Sequence, residues 1–131
     1  MATIKSYTDI EQSKKLAEIL PPESADMFHF IHEVDTVGIG YKKDAQEFYS
    51  KTEFEYIPCW SLAALLEQLY YEVCDDEGYS SYLQINKDDD MYQLEYTDPS
   101  GIFESIETDR HEHFVDTCYE MILKLKELNL L

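Results

Sequence analysis

Basic residues are scarce in this chain. Ten Lys and Arg face 28 Asp and Glu among 131 residues, a formal net charge of −18 at pH 7. That sign repels nucleic acid and anionic membrane surfaces, so neither is an expected direct partner. Cysteine is also sparse. Cys59, Cys74 and Cys118 lie far apart, are odd in number and form no C-x-x-C pair. They read as reduced thiols of a cytoplasmic protein, not as a disulfide framework. Only four Gly and four Pro occur. The chain has no Gly-rich phosphate loop and no low-complexity linker that would mark a domain boundary. Long apolar runs are missing too, and the first twenty residues carry Lys5, Lys14 and Lys15. Neither a signal peptide nor a membrane span is expected.

What is present argues for a packed domain. The chain is 44% hydrophobic and 14% aromatic, above what a disordered segment carries. Its length suits a single domain over 1–131, large enough to bury a core unaided. The charge is uneven. Residues 1–43 hold five Lys against seven acids, residues 110–131 hold three bases against four acids, and residues 44–109 hold two Lys against seventeen acids. Such a middle segment keeps a protein soluble. It also provides an acidic surface for a basic protein partner.

The chain is organised around Ile57 to Leu69, which reads as a short, nearly all-buried helix. Leu62, Leu65, Leu66 and Leu69 follow the 3.6-residue period of one helix face. Ser61 suits the N-cap, which makes Trp60 and Leu65 the pair of a hydrophobic staple. Before it, Thr8 and Glu11 have capping-box spacing for a first helix that runs to about Leu20 and stops at Pro21-Pro22. Met27–Val34 and Val37–Tyr41 read as a hairpin turning at Asp35-Thr36, and residues 42–56 as a loop or irregular helix. After the buried segment comes an acidic turn, Asp75-Asp76-Glu77-Gly78.

Ser81–Asn86 and Met91–Thr97 form the clearest hairpin. A four-residue loop at 87–90 pairs Asn86 with Met91, Ile85 with Tyr92 and Leu83 with Leu94. Leu83, Ile85, Tyr92, Leu94 and Tyr96 then share an apolar face, and Tyr82, Gln84, Met91 and Glu95 fall on the other. Asp98-Pro99-Ser100-Gly101 is a turn that would place Ile102 and Ile106 on the apolar face, with Glu104 between them as an inward charge at a sheet edge. Asp109, with Glu112 three residues on, is the expected cap of a last helix whose buried stripe is Phe114, Cys118, Met121, Ile122, Leu125 and Leu128. Together these elements give an α+β fold, a small antiparallel sheet of about five strands with helices packed on one face.

No catalytic constellation emerges. Cys59 and Cys118 sit in apolar surroundings, where a thiol is inert. The chain lacks G-x-S-x-G and H-E-x-x-H, and nothing pairs two carboxylates for acid–base work. Catalytic and cofactor-binding residues are therefore expected to be absent, and no cofactor is expected. His29 and His32 on a strand would point to opposite faces, and His111 and His113 would be about 200° apart on a helix, so neither pair favours zinc. Asp88-Asp89-Asp90 lacks the Gly and distal Glu of a calcium loop. One candidate cation site remains: the return of the chain toward the hairpin loop would gather Asp88, Asp89, Asp90, Glu107, Asp109, His111 and His113. The candidate interaction residues are Tyr82 and Met91, large side chains on the polar face, with Asp75, Asp76 and Glu77 of the acidic turn.

The segment Ile57-Pro58-Cys59-Trp60-Ser61-Leu62-Ala63-Ala64-Leu65-Leu66-Glu67 and the ending Cys118-Tyr119-Glu120-Met121-Ile122-Leu123-Lys124-Leu125 resemble a group of short bacterial proteins often linked to mobile elements. Tyr7 to Met27 is also similar to their start. The resemblance covers about half of the chain, rests on core and cap residues, and implies a shared fold without an activity. The functional expectation is a non-enzymatic accessory protein, phage or mobile-element associated, that binds a protein. The alternatives are a DNA-mimic or anti-restriction protein, which needs carboxylates at phosphate-like spacing, and a small hydrolase-like enzyme, which needs a pocket of converging polar groups.

Overall fold

The computed structural model describes residues 4–32, 35–41, 55–102 and 104–131. The fold is α+β, and its strands divide between two antiparallel sheets, of three and four strands, where the sequence suggests one. The chain forms two compact units, one of residues 6–64 and one of residues 65–131 with the first five. Among the described residues no helix is long and apolar enough to cross a membrane.

The first unit opens with α1 (Ile10–Ala17). Its N-cap is Asp9, not Thr8: the Asp9 carboxylate accepts from the Gln12 amide at 2.8 Å, and the Gln12 side chain accepts in return from the Asp9 amide. Thr8 is displaced from the cap because it is buried and otherwise engaged. Its hydroxyl accepts from the Trp60 amide at 3.2 Å and meets the Ser13 hydroxyl at 2.8 Å. The sheet is built from β1 (Met27–His32), β2 (Asp35–Tyr41) and β3 (Glu55–Cys59) in the order β2-β1-β3. The expected hairpin is present, but Asp35 and Thr36 belong to β2, and residues 33–34 and 42–54 lie outside the described residues.

Ile57–Cys59 is the main surprise. These residues extend as β3, with Phe28 opposite Pro58 and Met27 opposite Cys59, so the organising segment is a strand that turns into a helix. Pro58 explains the choice. It lacks an N–H, and it is tolerated here because β3 is an edge strand. The helix begins where the cap allows: α2 spans Leu62–Gln68, and the Ser61 hydroxyl accepts from the Ala64 amide at 3.2 Å. Asp26 holds Ser61 in turn, accepting from its amide at 2.9 Å and from its hydroxyl. Trp60 is fully buried, and its indole N–H donates to Ser24 at 2.9 Å.

In the second unit the sheet order is β4-β5-β6-β7, from β4 (Glu72–Cys74), β5 (Ser80–Asp88), β6 (Met91–Thr97) and β7 (Ile106–Glu107). The short β4 has no counterpart among the sequence expectations. The central hairpin has Asp88 opposite Met91 and Ile85 opposite Leu94, closed by Asp89 and Asp90 alone. The register is displaced by two residues from the expected one. Because side chains alternate with period two, that displacement leaves every residue on its expected face. Asp89 makes the tight loop feasible by adopting φ +54°, a conformation aspartate tolerates.

Asp98 organises the next turn. Its carboxylate accepts from the Ser100 amide at 2.8 Å and the Ile102 amide at 3.1 Å, and Gly101 takes φ +75°. Pairing resumes with Ile106 opposite Tyr96. Ile102 is consequently 61% exposed, not on the apolar face, and Glu104 is exposed instead of inward.

The last helix, α3 (Phe114–Glu127), starts later than Asp109 would place it, and its N-cap is His113 with no side-chain cap bond. The delay has a cause: His111 exchanges both backbone bonds with Tyr92, at 2.7 and 2.9 Å, and so keeps the chain extended past Asp109. Val115, Cys118, Met121, Ile122 and Leu125 are buried, Phe114 is half-buried, and Leu128 is 53% exposed. α3 lies on the apolar sheet face, where Phe114 stacks on Tyr92 at 5.1 Å and the Thr117 hydroxyl donates to the Tyr92 carbonyl at 3.2 Å.

Candidate functional site

With α3 covering one face, the described side chains on the other face of the four-stranded sheet are partly or fully exposed. Alternation places Glu72, Tyr82, Gln84, Asn86, Asp88, Met91, Gln93, Glu95, Thr97 and Glu107 on it, and none of them is buried. Four are acids and none is basic. Tyr82 and Met91 therefore occupy the polar face as expected, at 36% and 37% exposure. They sit at opposite ends, because Met91 pairs with Asp88, six residues along β5 from Tyr82 and about 20 Å away at the rise of a strand. Tyr82 packs its ring against Tyr71 at 5.7 Å.

Asp75, Asp76 and Glu77 form the β4–β5 turn at the Tyr82 end. The Asp75 carboxylate accepts from the Glu77 amide at 3.0 Å and the Tyr79 amide at 2.9 Å, and Gly78 supplies φ +87°. Asp75 is thus a turn-former first, whereas Asp76 and Glu77 are exposed. The candidate cation residues do not converge. Asp88 pairs with Arg110 at 2.8 Å, so the repulsion expected at the loop is relieved within the chain. His111 donates to Glu120 at 2.7 Å, and Glu107 lies toward the other end of the sheet, opposite Glu95. Asp89, Asp90, Asp109 and His113 complete no metal cage, and among the described residues no group of three or more His, Cys, Asp or Glu could hold a metal ion.

The second unit also has a concavity that the sequence does not announce. It is a groove of about 650 Å³ at the end of the sheet that carries the β4–β5 turn. Ile102, Ile106, Leu128 and Leu130 give it an apolar lining, and Asp75, Asp76, Glu104, Glu107 and Glu127 surround them with a single base, Lys124. Local chemistry places each wall. The Asp98 turn presents Ile102. The α3 terminus presents Leu128 and Leu130, because Asn129 takes φ +56° and the Leu130 and Asn129 amides donate back to the Leu125 and Lys126 carbonyls. That is the paired-bond C-terminal cap, with asparagine in the place glycine usually holds. Lys124 is already engaged, with the Glu107 carbonyl at 2.5 Å and Glu120 at 3.4 Å. Only the Asp98 turn signal is visible in the sequence. The helical period that assigns Leu128 to the buried stripe conceals its place in the groove.

Burial suppresses the thiolate at two of the cysteines. Burial pushes the Cys118 thiol up to about 12. Burial also pushes Cys59 up to about 11, against hydrogen bonds from Thr8 and Ser13 that favour its thiolate. Burial raises the Tyr96 phenol as well, with Tyr70 adding to the effect. Glu120 is a shifted carboxylate. Its partial burial acts upward, but the bonds from His111 and the Asp109 amide, with Lys124 and His111 nearby, outweigh it and lower the value. This Glu120 group ties α3 to the strand end. Comparison of the chain with protein families, with curated proteins and with solved structures finds no match.

Proposed function

We propose that this chain is a non-catalytic accessory protein that binds a basic protein. The observation that carries the reading is the partly exposed face of the four-stranded sheet, which holds Glu72, Glu95 and Glu107 beside Asp88, the last already paired with Arg110. Antiparallel sheets often leave one face to water, and charge alone does not require a partner. Tyr82 and Met91 favour one, since both are large side chains of kinds enriched at interfaces, set among acids. The high values of the Cys59 and Cys118 thiols support the non-catalytic part.

The test is binding to a basic protein of known fold, hen lysozyme, by calorimetry across a range of salt. Binding should be measurable at low ionic strength and fade as salt rises. Glu72→Gln/Glu95→Gln should weaken it by about five- to thirtyfold, at about 0.5–1 kcal/mol for each of the two exposed charge pairs. Absence of binding at low ionic strength, or binding indifferent to salt, would refute the reading.

A further inference from the structure

The groove of the second unit pairs two features, an apolar lining and a carboxylate rim. Ile102 and Leu128 are 61% and 53% exposed within it, and three of the surrounding carboxylates, those of Asp76, Glu104 and Glu127, have no cationic partner among the described residues. Lys124 does not neutralise them, because its ammonium is turned to the Glu107 carbonyl and to Glu120. An apolar lining alone would accept many occupants. The ring of carboxylates restricts the choice: an acidic or neutral segment leaves these charges unpaired and desolvates them, whereas lysine and arginine side chains answer them.

We infer that the groove receives a short amphipathic basic segment of a protein partner, its aliphatic side chains against Ile102, Ile106, Leu128 and Leu130 and its ammonium or guanidinium groups against the carboxylates. The volume, about 650 Å³, accommodates a few side chains and not a whole domain. Lysine and arginine suit such a site because their alkyl stems cover apolar surface while their charged ends reach the rim. The inference rests on the basic-partner reading and adds to it a place and an apolar requirement.

Three labelled peptides of equal length test it by fluorescence anisotropy: an amphipathic Lys/Leu sequence, a Lys/Ser sequence of the same charge, and a Glu/Leu sequence. Lys/Leu should bind about tenfold more tightly than Lys/Ser, a modest gain from burying a few leucines because ordering the peptide opposes it. Ile102→Ser/Leu128→Ser, at exposed positions that folding does not require, should bring Lys/Leu to the Lys/Ser level while the melting temperature holds. Glu104→Gln/Glu127→Gln should weaken Lys/Leu more than Asp89→Asn/Asp90→Asn does. Equal binding of Lys/Leu and Lys/Ser would overturn the groove and leave the general basic-partner reading standing. No binding by either cationic peptide at low salt would overturn both. Glu/Leu binding as tightly as Lys/Leu would overturn the charge argument.

Discussion

Trp60 and Ser61 each do more than one job, and this makes their substitution informative. Trp60 is fully buried, accepts at its carbonyl from the Thr8 amide, donates its amide to the Thr8 hydroxyl and anchors Ser24 through its indole. Trp60→Ala should destabilise the chain by about 3–5 kcal/mol in urea unfolding, the cost of a large buried cavity. Ser61→Ala loses the α2 cap and also leaves Asp26 without its hydroxyl partner. It should cost about 1–2 kcal/mol, toward the upper end of cap substitutions. A loss below about 0.5 kcal/mol would mean that neither bond outweighs hydration. The Ser61 cap is legible in the sequence, because serine before an apolar helical period is a local signal. Asp26 is not, since its partner lies 35 residues away.

At the level of elements, faces are more legible than registers. The Leu83/Ile85 and Leu94/Tyr96 alternation determines which side of the sheet is covered, and it survives a two-residue displacement of the pairing. The loop that sets the register, Asp89-Asp90, carries no glycine, so the usual tight-turn signature is missing. Helix starts fail for a tertiary reason: Thr8 and Asp109 precede glutamates at cap spacing, but each is diverted, Thr8 to Trp60 and the 109–111 segment to Tyr92 and Glu120. The groove is illegible because it joins residues from three separated stretches.

Glu120 yields a pH prediction at this same scale. Its folded value is lowered, so its contribution to stability is complete above the ordinary 4.5 and is lost as pH falls through the folded value. Glu120→Gln should therefore cost about 1 kcal/mol at neutral pH, reduced from the buried charged-bond value by its partial exposure. The wild-type and variant stabilities should converge in acid, which urea midpoints across pH would reveal. A difference that persists below the folded value would assign the effect to packing, not to charge.

Across the whole molecule, self-repulsion dominates the electrostatics. Seventeen acids stand against four bases in residues 65–131, and among the described residues Arg110 answers Asp88, Lys124 and His111 answer Glu120, and Lys5 answers Asp116. Most carboxylates are exposed, so their repulsion is of the kind that salt screens, with a Debye length near 10 Å at about 0.1 M. Raising sodium chloride should increase the melting temperature, by a few degrees if screening gains about 1 kcal/mol in a chain of this size. Calcium or magnesium at matched ionic strength should do no more than follow the monovalent curve without saturating, because Asp88 already has Arg110 and His111 already has Glu120. A saturable calcium effect abolished by Asp88→Asn/Asp90→Asn would reinstate a cation site at the hairpin loop. A melting temperature that falls with salt would mean that attractive pairs, not repulsion, govern the charge of the folded chain.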